Sequence, residues 1–285
     1  GIGTPIGTPP NAIVLGALEK TVEKVDPITG EVTMEAIGSC SFLQWMMFAV
    51  PIAAVLMAVA WVLILFMYPA SRKEIEIDMN VKWARSTKAT IYYVTAIFTI
   101  LMWVTGQLHG INSYVVGMFP VAILLATGVL GSREFRQLEW DVLWLVAGGI
   151  ALGKGVSSTG FDKWLVGLIE WNAMSASVLG ISICATALVM STFISNSAAT
   201  NLLAPIAVAV ATAAGGSAVN ILVFVAVGAS VAMAQPISTP PNAIAYSAGT
   251  FSTRQMAVTG SIIAIAGLTI SYLLLGPLLK MAGVL

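Results

Sequence analysis

Thr4-Pro5-Ile6-Gly7-Thr8-Pro9-Pro10-Asn11-Ala12-Ile13 stands at the start of the chain, and Gln235-Pro236-Ile237-Ser238-Thr239-Pro240-Pro241-Asn242-Ala243-Ile244 returns near its end. Both copies lie in strongly apolar surroundings. A Pro-Pro pair removes two amide donors and fixes φ, so it breaks a helix that runs into it. Thr8 and Thr239 then read as N-caps, with Pro9 and Pro240 in the favoured first helical position. Broken helices at matching places in two halves of a membrane protein point to a substrate site of the inverted-repeat transporter kind.

Working outward, 58% of the 285 residues are hydrophobic and 9% charged, and the mean hydropathy is +0.92. Soluble domains carry roughly 25% charged residues, so the composition predicts an all-α integral membrane protein in contact with the lipid bilayer. The formal net charge is zero, which implies no nucleic-acid partner. Cys40 and Cys184, one in a polar stretch and one mid-span, do not suggest a disulfide framework. The Gly-rich, polar start does not read as a signal peptide. With no initiator Met, the sequence is expected to begin inside a longer protein, partway into the first broken helix.

A membrane-spanning helix needs roughly 20 apolar residues. Residues 44–68, 91–106, 113–130 and 255–279 are expected spans, and residues 140–153 continue apolar towards Lys154. Residues 72–88 are mixed and amphipathic, and residues 157–171 read as an interfacial helix with Trp164 and Trp171 as headgroup anchors. Counting spans puts Arg72, Lys73, Lys82, Arg85, Lys88, Arg133, Arg136 and Arg254 on one side, and Lys20, Lys24, Lys154, Lys163 and Lys280 on the other. The positive-inside rule then makes the first group cytoplasmic and the C-terminus extracytoplasmic. The plasma (inner) membrane is the expected location.

No charged residue occurs between Trp171 and Thr253. Residues 175–193 and 198–213 read as apolar helices joined at Ser195-Asn196-Ser197. Two readings stand here: two full spans with a polar turn at the far surface, or a re-entrant hairpin whose tip stops within the membrane. The turn lacks both a charge and a Gly-Pro signal, which favours the hairpin. Irregular backbone at that depth needs cover from protein or a wet cavity. Residues 218–234 then form a helix that breaks at Gln235-Pro236 and resumes at Pro240.

No Asp, Glu, Lys or Arg lies deep in an expected span. A proton relay, a buried ion pair and an intramembrane aspartyl protease all lack their residues, and the lone His109 sits in a turn, so an enzyme is not expected. Helix N-termini can hold anions through free amides and partial positive charge. Three are on offer, after Thr8, after Ser195-Asn196 and after Thr239, with hydroxyls and amides of Thr8, Ser195, Asn196, Ser197, Thr239 and Asn242 as added donors. Helix ends expose carbonyls, and with an Asn side-chain oxygen these suit a small hard cation such as sodium. Ser191, Thr192, Thr200 and Thr212 read as hydroxyls bonded to their own backbone. Asn201 lies one turn from the tip. His109 reads as a solvated loop residue, Lys154 and Asp162 as interfacial, and the small residues of 204–214 as close-packing positions.

At these residues the chain resembles the divalent anion/sodium symporter family, the dicarboxylate, citrate and sulfate transporters. Ser195-Asn196-Ser197 resembles its Ser-Asn-Thr hairpin signature, with Ser197 in place of the commoner Thr, and both Thr-Pro-Pro-Asn loops resemble its unwound helices. The resemblance covers about the last three-fifths of a typical member, so the first hairpin is expected in a missing N-terminal segment. It implies an inverted-repeat elevator fold with a re-entrant hairpin, one repeat only partly present, working as a homodimer. It also implies sodium as co-transported ion, with no organic cofactor. The implied substrate contacts are Ser195, Asn196, Ser197, Thr239 and Pro240, with Thr8 and Pro9 opposite. The implied sodium contacts are Thr192, Ser195, Asn196 and Ser238, and separately Gly7.

The expected organisation is a transport part over 1–71, a cytoplasmic linker helix over 72–88, scaffold and dimerisation spans over 89–157, and an extracytoplasmic interfacial helix over 158–172. A second transport part follows over 173–285, with a hairpin at 174–214, a broken helix at 218–250 and a last span at 255–280. The implied activity is sodium-coupled symport of a di- or tricarboxylate such as succinate, malate or citrate. A dicarboxylate antiporter, a proton-coupled relative, or a fragment inactive without its N-terminal part are the alternatives.

Overall fold

The computed structural model describes residues 1–19, 21–25, 32–36, 38–69, 84–137, scattered positions between 140 and 164, 176–213 and 217–284. Most of the expected interfacial helix, of the linker helix and of the span at 140–153 lies outside the described residues.

Helices dominate. In order they are α1 (Pro9–Leu18), α2 (Phe42–Met67), α3 (Thr87–Val104), α4 (Gly106–His109), α5 (Ser113–Ala126), α6 (Ser132–Arg136), α7 (Ala176–Phe193), α8 (Asn196–Ala213), α9 (Ala218–Ser230), α10 (Pro240–Ser247) and α11 (Thr253–Met281). The exception is an antiparallel hairpin, β1 (Thr21–Val25) with β2 (Val32–Ala36), in register Thr21↔Ala36 to Val25↔Val32. It falls between α1 and α2, in a stretch that carries both acidic and basic residues. Among the described residues, 3 helices are long and apolar enough to cross a membrane: α2, α3 and α11. Residues 113–130, expected to span, give instead the 14-residue α5. It stops because Thr127 caps it and Gly128 takes a positive φ of 66°, left-handed backbone that glycine adopts readily.

The chain divides into two compact units. One holds residues 1–40, 44–64 and 141–285; the other holds 41–43 and 65–140. In the larger unit α9 is the centre, buried along most of its length and packed on α7, α8, α1 and α11. Small residues allow the close approaches. A Cβ on Gly228 of α9 would collide with the Cys184 carbonyl of α7, and one on Gly180 would lie 2.7 Å from the Phe224 ring. Apolar side chains of α2, among them Trp45, Phe48 and Ile52, complete this core, and the Trp45 indole N–H donates to the Ile2 carbonyl at 3.0 Å.

In the smaller unit α3 packs on α5, Phe42 stacks on Trp103 at 5.1 Å, and the Trp103 indole donates to the Ser113 carbonyl at 2.9 Å. His109 closes the turn after α4. Its Nε2 lies 2.8 Å from the Met102 carbonyl and its Nδ1 3.0 Å from the Ile111 amide. A carbonyl only accepts and an amide only donates, so the Nε2–H tautomer is required. The ring is therefore a bonded part of the turn, where the sequence suggested a solvated residue. Before α6, the Glu134 carboxylate accepts the Gly131 amide at 2.9 Å. Bonds from its own amide and from Gly131, with the charge of Lys88, hold its carboxyl below the usual range.

Candidate functional site

The two Thr-Pro-Pro-Asn segments fold alike. Thr8 (φ −156°, ψ 144°) and Thr239 (φ −147°, ψ 153°) are extended N-caps, and Pro9-Pro10 and Pro240-Pro241 form the first two positions of α1 and α10. Each preceding loop makes one turn. The Gly7 amide donates to the Thr4 carbonyl at 3.0 Å, and the Ser238 amide to the Gln235 carbonyl at 3.4 Å. At the third helical position of each copy the Asn carboxamide points back, as side chains on a helix do. Asn11 Nδ2 reaches Thr4 O at 2.8 Å and Gly1 O at 3.2 Å; Asn242 Nδ2 reaches Gln235 O at 3.1 Å and Ala232 O at 3.4 Å. The separations are seven and ten residues in both copies.

This arrangement revises the idea of free amides at three helix starts. Proline has no N–H, so α1 and α10 offer none at their first two positions. The third is taken: Asn11 N donates to Thr8 O at 3.1 Å, and Asn242 N to Thr239 Oγ1 at 3.3 Å. Only α8 differs. There the amides of Ala198 and Ala199 are held by Ser195 Oγ at 3.2 Å and Ser195 O at 3.0 Å. Those of Asn196 and Ser197 have no acceptor within the helix.

The bend itself is tighter than expected. Only Ile194 and Ser195 leave helical geometry, while Asn196 and Ser197 begin α8 and are 5% and 7% exposed. Beside the bend lies a group of oxygens. Ser191 Oγ, fully buried, sits 2.5 Å from Asn196 Oδ1 and 2.8 Å from the Ala229 carbonyl. A hydroxyl has one proton, so Ser191 can donate to only one of these two acceptors at a time. One residue on, the Thr192 carbonyl accepts from Ser238 Oγ at 3.2 Å, while the Thr192 hydroxyl bonds back to Leu188 O at 2.8 Å. The Ala229 carbonyl is available because α9 ends at Ser230, four residues before the expected Ala234.

Of the residues singled out from sequence, Thr192, Asn196 and Ser238 thus share one neighbourhood with Ser191, and Ser195 caps the helix that begins there. Thr239 follows Ser238 and caps α10. Pro240 starts that helix. Gly7, Thr8 and Pro9 belong to the other loop, whose helix α1 packs on α8 and α9. Among the described residues no group of three His, Cys, Asp or Glu could hold a metal. The polar groups here are hydroxyls, carboxamides and backbone.

The profile of the family described as "Sodium:sulfate symporter transmembrane region" matches residues 27–282. The chain belongs to this sodium:sulfate symporter family. It is 25% identical over 291 residues to the sodium-dependent dicarboxylate transporter SdcS of Staphylococcus aureus (strain MW2), covering 91% of this chain and 52% of that protein. It is 26% identical over 288 residues to the protein of the same name in Staphylococcus saprophyticus, covering 91% and 52%. The chain therefore spans about half the length of the curated relatives it matches. The family and these relatives are transporters and not enzymes. Membership, with three helices able to span, makes the chain an integral membrane protein.

In this family member Ser191 reads from sequence as a hydroxyl bonded to its own backbone, whereas the structure turns it to the bend. A Ser inside a membrane helix most often bonds its own backbone, and Thr200 does so, donating to Asn196 O at 2.8 Å. The signal available was spacing: Ser191 lies five residues before Asn196, across a two-residue bend. That places one hydroxyl at the end of one helix against the first side chain of the next.

Proposed function

We propose that the chain works in sodium-coupled symport of a di- or tricarboxylate anion, with substrate and sodium bound around the bend between α7 and α8. One observation carries this reading: a neutral, buried group of oxygens lies beside the one of the three candidate helix starts that has amides, and not prolines, at its first two positions. The open amides of Asn196 and Ser197, with the Ser195 hydroxyl proton, suit a carboxylate. The Ser191, Asn196, Ala229, Thr192 and Ser238 oxygens suit a small hard cation, as helix-end carbonyls do in other broken-helix transporters. Neutral dipoles are well matched to this role. A fixed charge at mid-membrane would cost about 2.5–3.5 kcal/mol on insertion scales, whereas anion and cation bound together offset each other.

On this reading α7 and α8 form a re-entrant hairpin and Thr239 and Pro240 complete the substrate contacts. Thr8 and Pro9 face them, and Gly7 supplies a carbonyl to a second sodium. The larger compact unit moves as the elevator, and the smaller one serves the static homodimer scaffold. The division of the chain into two units supports that assignment. The contrast between α1 and α10 supports a further hairpin over α10: α1 is covered by α8 and α9, while Ile244 of α10 stands 71% exposed.

The test is Asn196→Ala in the full-length transporter, reconstituted in proteoliposomes and assayed for sodium-driven succinate uptake. Loss of uptake with protein retained in the membrane is expected; uptake equal to the parent overturns the site. Uptake that follows a pH gradient with no need for sodium identifies a proton-coupled relative, and uptake that needs internal dicarboxylate identifies an antiporter.

A further inference from the structure

Asn11 and Asn242 have no part in the contacts just proposed, yet their carboxamides make the same two bonds in both halves of the chain. Each converges on the carbonyl that anchors the loop turn. Thr4 O accepts from Asn11 Nδ2 at 2.8 Å and from the Gly7 amide at 3.0 Å. Gln235 O accepts from Asn242 Nδ2 at 3.1 Å and from the Ser238 amide at 3.4 Å. The second bond of each Asn, to Gly1 O or Ala232 O, ties the strand entering the turn. All partners are carbonyls, so the nitrogen of each carboxamide faces the loop and the oxygen faces away. Turning either carboxamide to bring its oxygen to the loop side would release these bonds.

We propose that Asn11 and Asn242 are positioning residues that set the height of Gly7 and Ser238 over the helix starts, and through them the sodium sites. The proposal rests on the sodium and anion reading above. It follows from a chain of bonds. Asn242 holds Gln235 O, Gln235 O holds the Ser238 amide, and Ser238 Oγ reaches Thr192 O at the end of α7. A donor is what the position needs, because the two prolines before each Asn have already removed the amides that could otherwise reach back. In each copy the Asn supplies two N–H groups, one shared with the turn amide on Thr4 O or Gln235 O and one for the carbonyl of Gly1 or Ala232.

The experiment uses the half-buried copy, where substitution is gentler. Asn242→Asp has nearly the same shape but loses both donors, and Asn242→Ala removes the group altogether. Both are made in the full-length transporter, quantified in the membrane, and assayed for succinate uptake against sodium concentration. The expected result is a half-saturating sodium concentration raised about tenfold, the scale of one lost hydrogen bond. The maximal rate per transporter should stay within about twofold of the parent. An unchanged sodium dependence in Asn242→Asp overturns the proposal. So does loss of both variants from the membrane, which makes the carboxamide a requirement of folding and not of positioning. Asn196→Ala in the same preparation separates the two readings. Full uptake there overturns the binding site itself, whereas lost uptake there with unchanged sodium dependence in Asn242→Asp overturns only the strut.

Discussion

In the first Thr-Pro-Pro-Asn loop Gly7 holds the turn and Asn11 reaches three carbonyls, those of Gly1, Ile2 and Thr4; in the second, Ser238 holds the same turn and Asn242 reaches two. Asn11 is fully buried and Asn242 half-buried. The first loop closes on itself. A Cβ at Gly7 would run into the Gly1 carbonyl, and the neighbouring Trp45 indole clamps Ile2. The second loop instead sends a hydroxyl outward to the end of α7. One backbone design is thus used twice, once closed on itself as a plug around a buried Asn and once as a bridge to the bend. The difference lies in a single side chain at the turn, Gly7 against Ser238, and in how much protein covers the Asn.

The largest effect is expected where the plug is tightest. Asn11→Asp keeps the shape but takes the carboxamide donor from the Gly1, Ile2 and Thr4 carbonyls, leaving Ile2 O to the Trp45 indole and Thr4 O to the Gly7 amide. It also puts a carboxylate at a fully buried position beside them. Unsatisfied buried groups cost about 1–3 kcal/mol each, so a loss of about 3 kcal/mol or more is expected. It would be read as a lower thermal midpoint and a smaller folded fraction in detergent. Asn242→Asp should cost clearly less. Equal costs in the two copies would break the comparison.

Exchanging the turn residues comes next. Gly7→Ser places a Cβ against the Gly1 carbonyl, and overpacking of this kind costs about 1–3 kcal/mol. Ser238→Gly meets no such obstacle and leaves folding near the parent. It removes the bond to Thr192 O, so a few-fold rise in half-saturating sodium is expected, on the scale of one modest hydrogen bond. If Gly7→Ser proves harmless, the first loop is not the closed plug described above.

Much of this local design could be read from the residues. The repeated Pro-Pro, the Thr before it and the apolar surroundings fixed both helix starts to the residue, because proline chemistry is local and needs no partner. What depended on distant partners was not legible. The early end of α9 at Ser230 goes with the bond from Ser191, 38 residues away, to the Ala229 carbonyl. Asn242 reads from sequence as an added donor for an anion, because sequence shows a carboxamide but not which way it faces. The shortened α5 had its signal in Gly128, and β1–β2 had theirs in alternating residues around Pro27-Ile28-Thr29-Gly30.

The smallest predicted effect probes the caps. Thr239 Oγ1 accepts the Asn242 amide at 3.3 Å, whereas Thr8 makes no side-chain cap and its backbone carbonyl serves Asn11 instead. Thr→Val keeps the shape and removes the hydroxyl. At position 239 the loss of a cap costs about 1 kcal/mol, visible as a few degrees in the thermal midpoint. At position 8 the same change removes no intrachain bond of that helix start, so the expected shift is within about 0.5 kcal/mol of zero, as for uncoupled surface changes. The two positions also separate stability from binding. If Thr8 faces the anion as proposed, Thr8→Val leaves the midpoint alone and raises the half-saturating succinate concentration. A midpoint shift at position 8 as large as that at 239 would mean that the first loop is capped like the second, and the contrast between plug and bridge would fall.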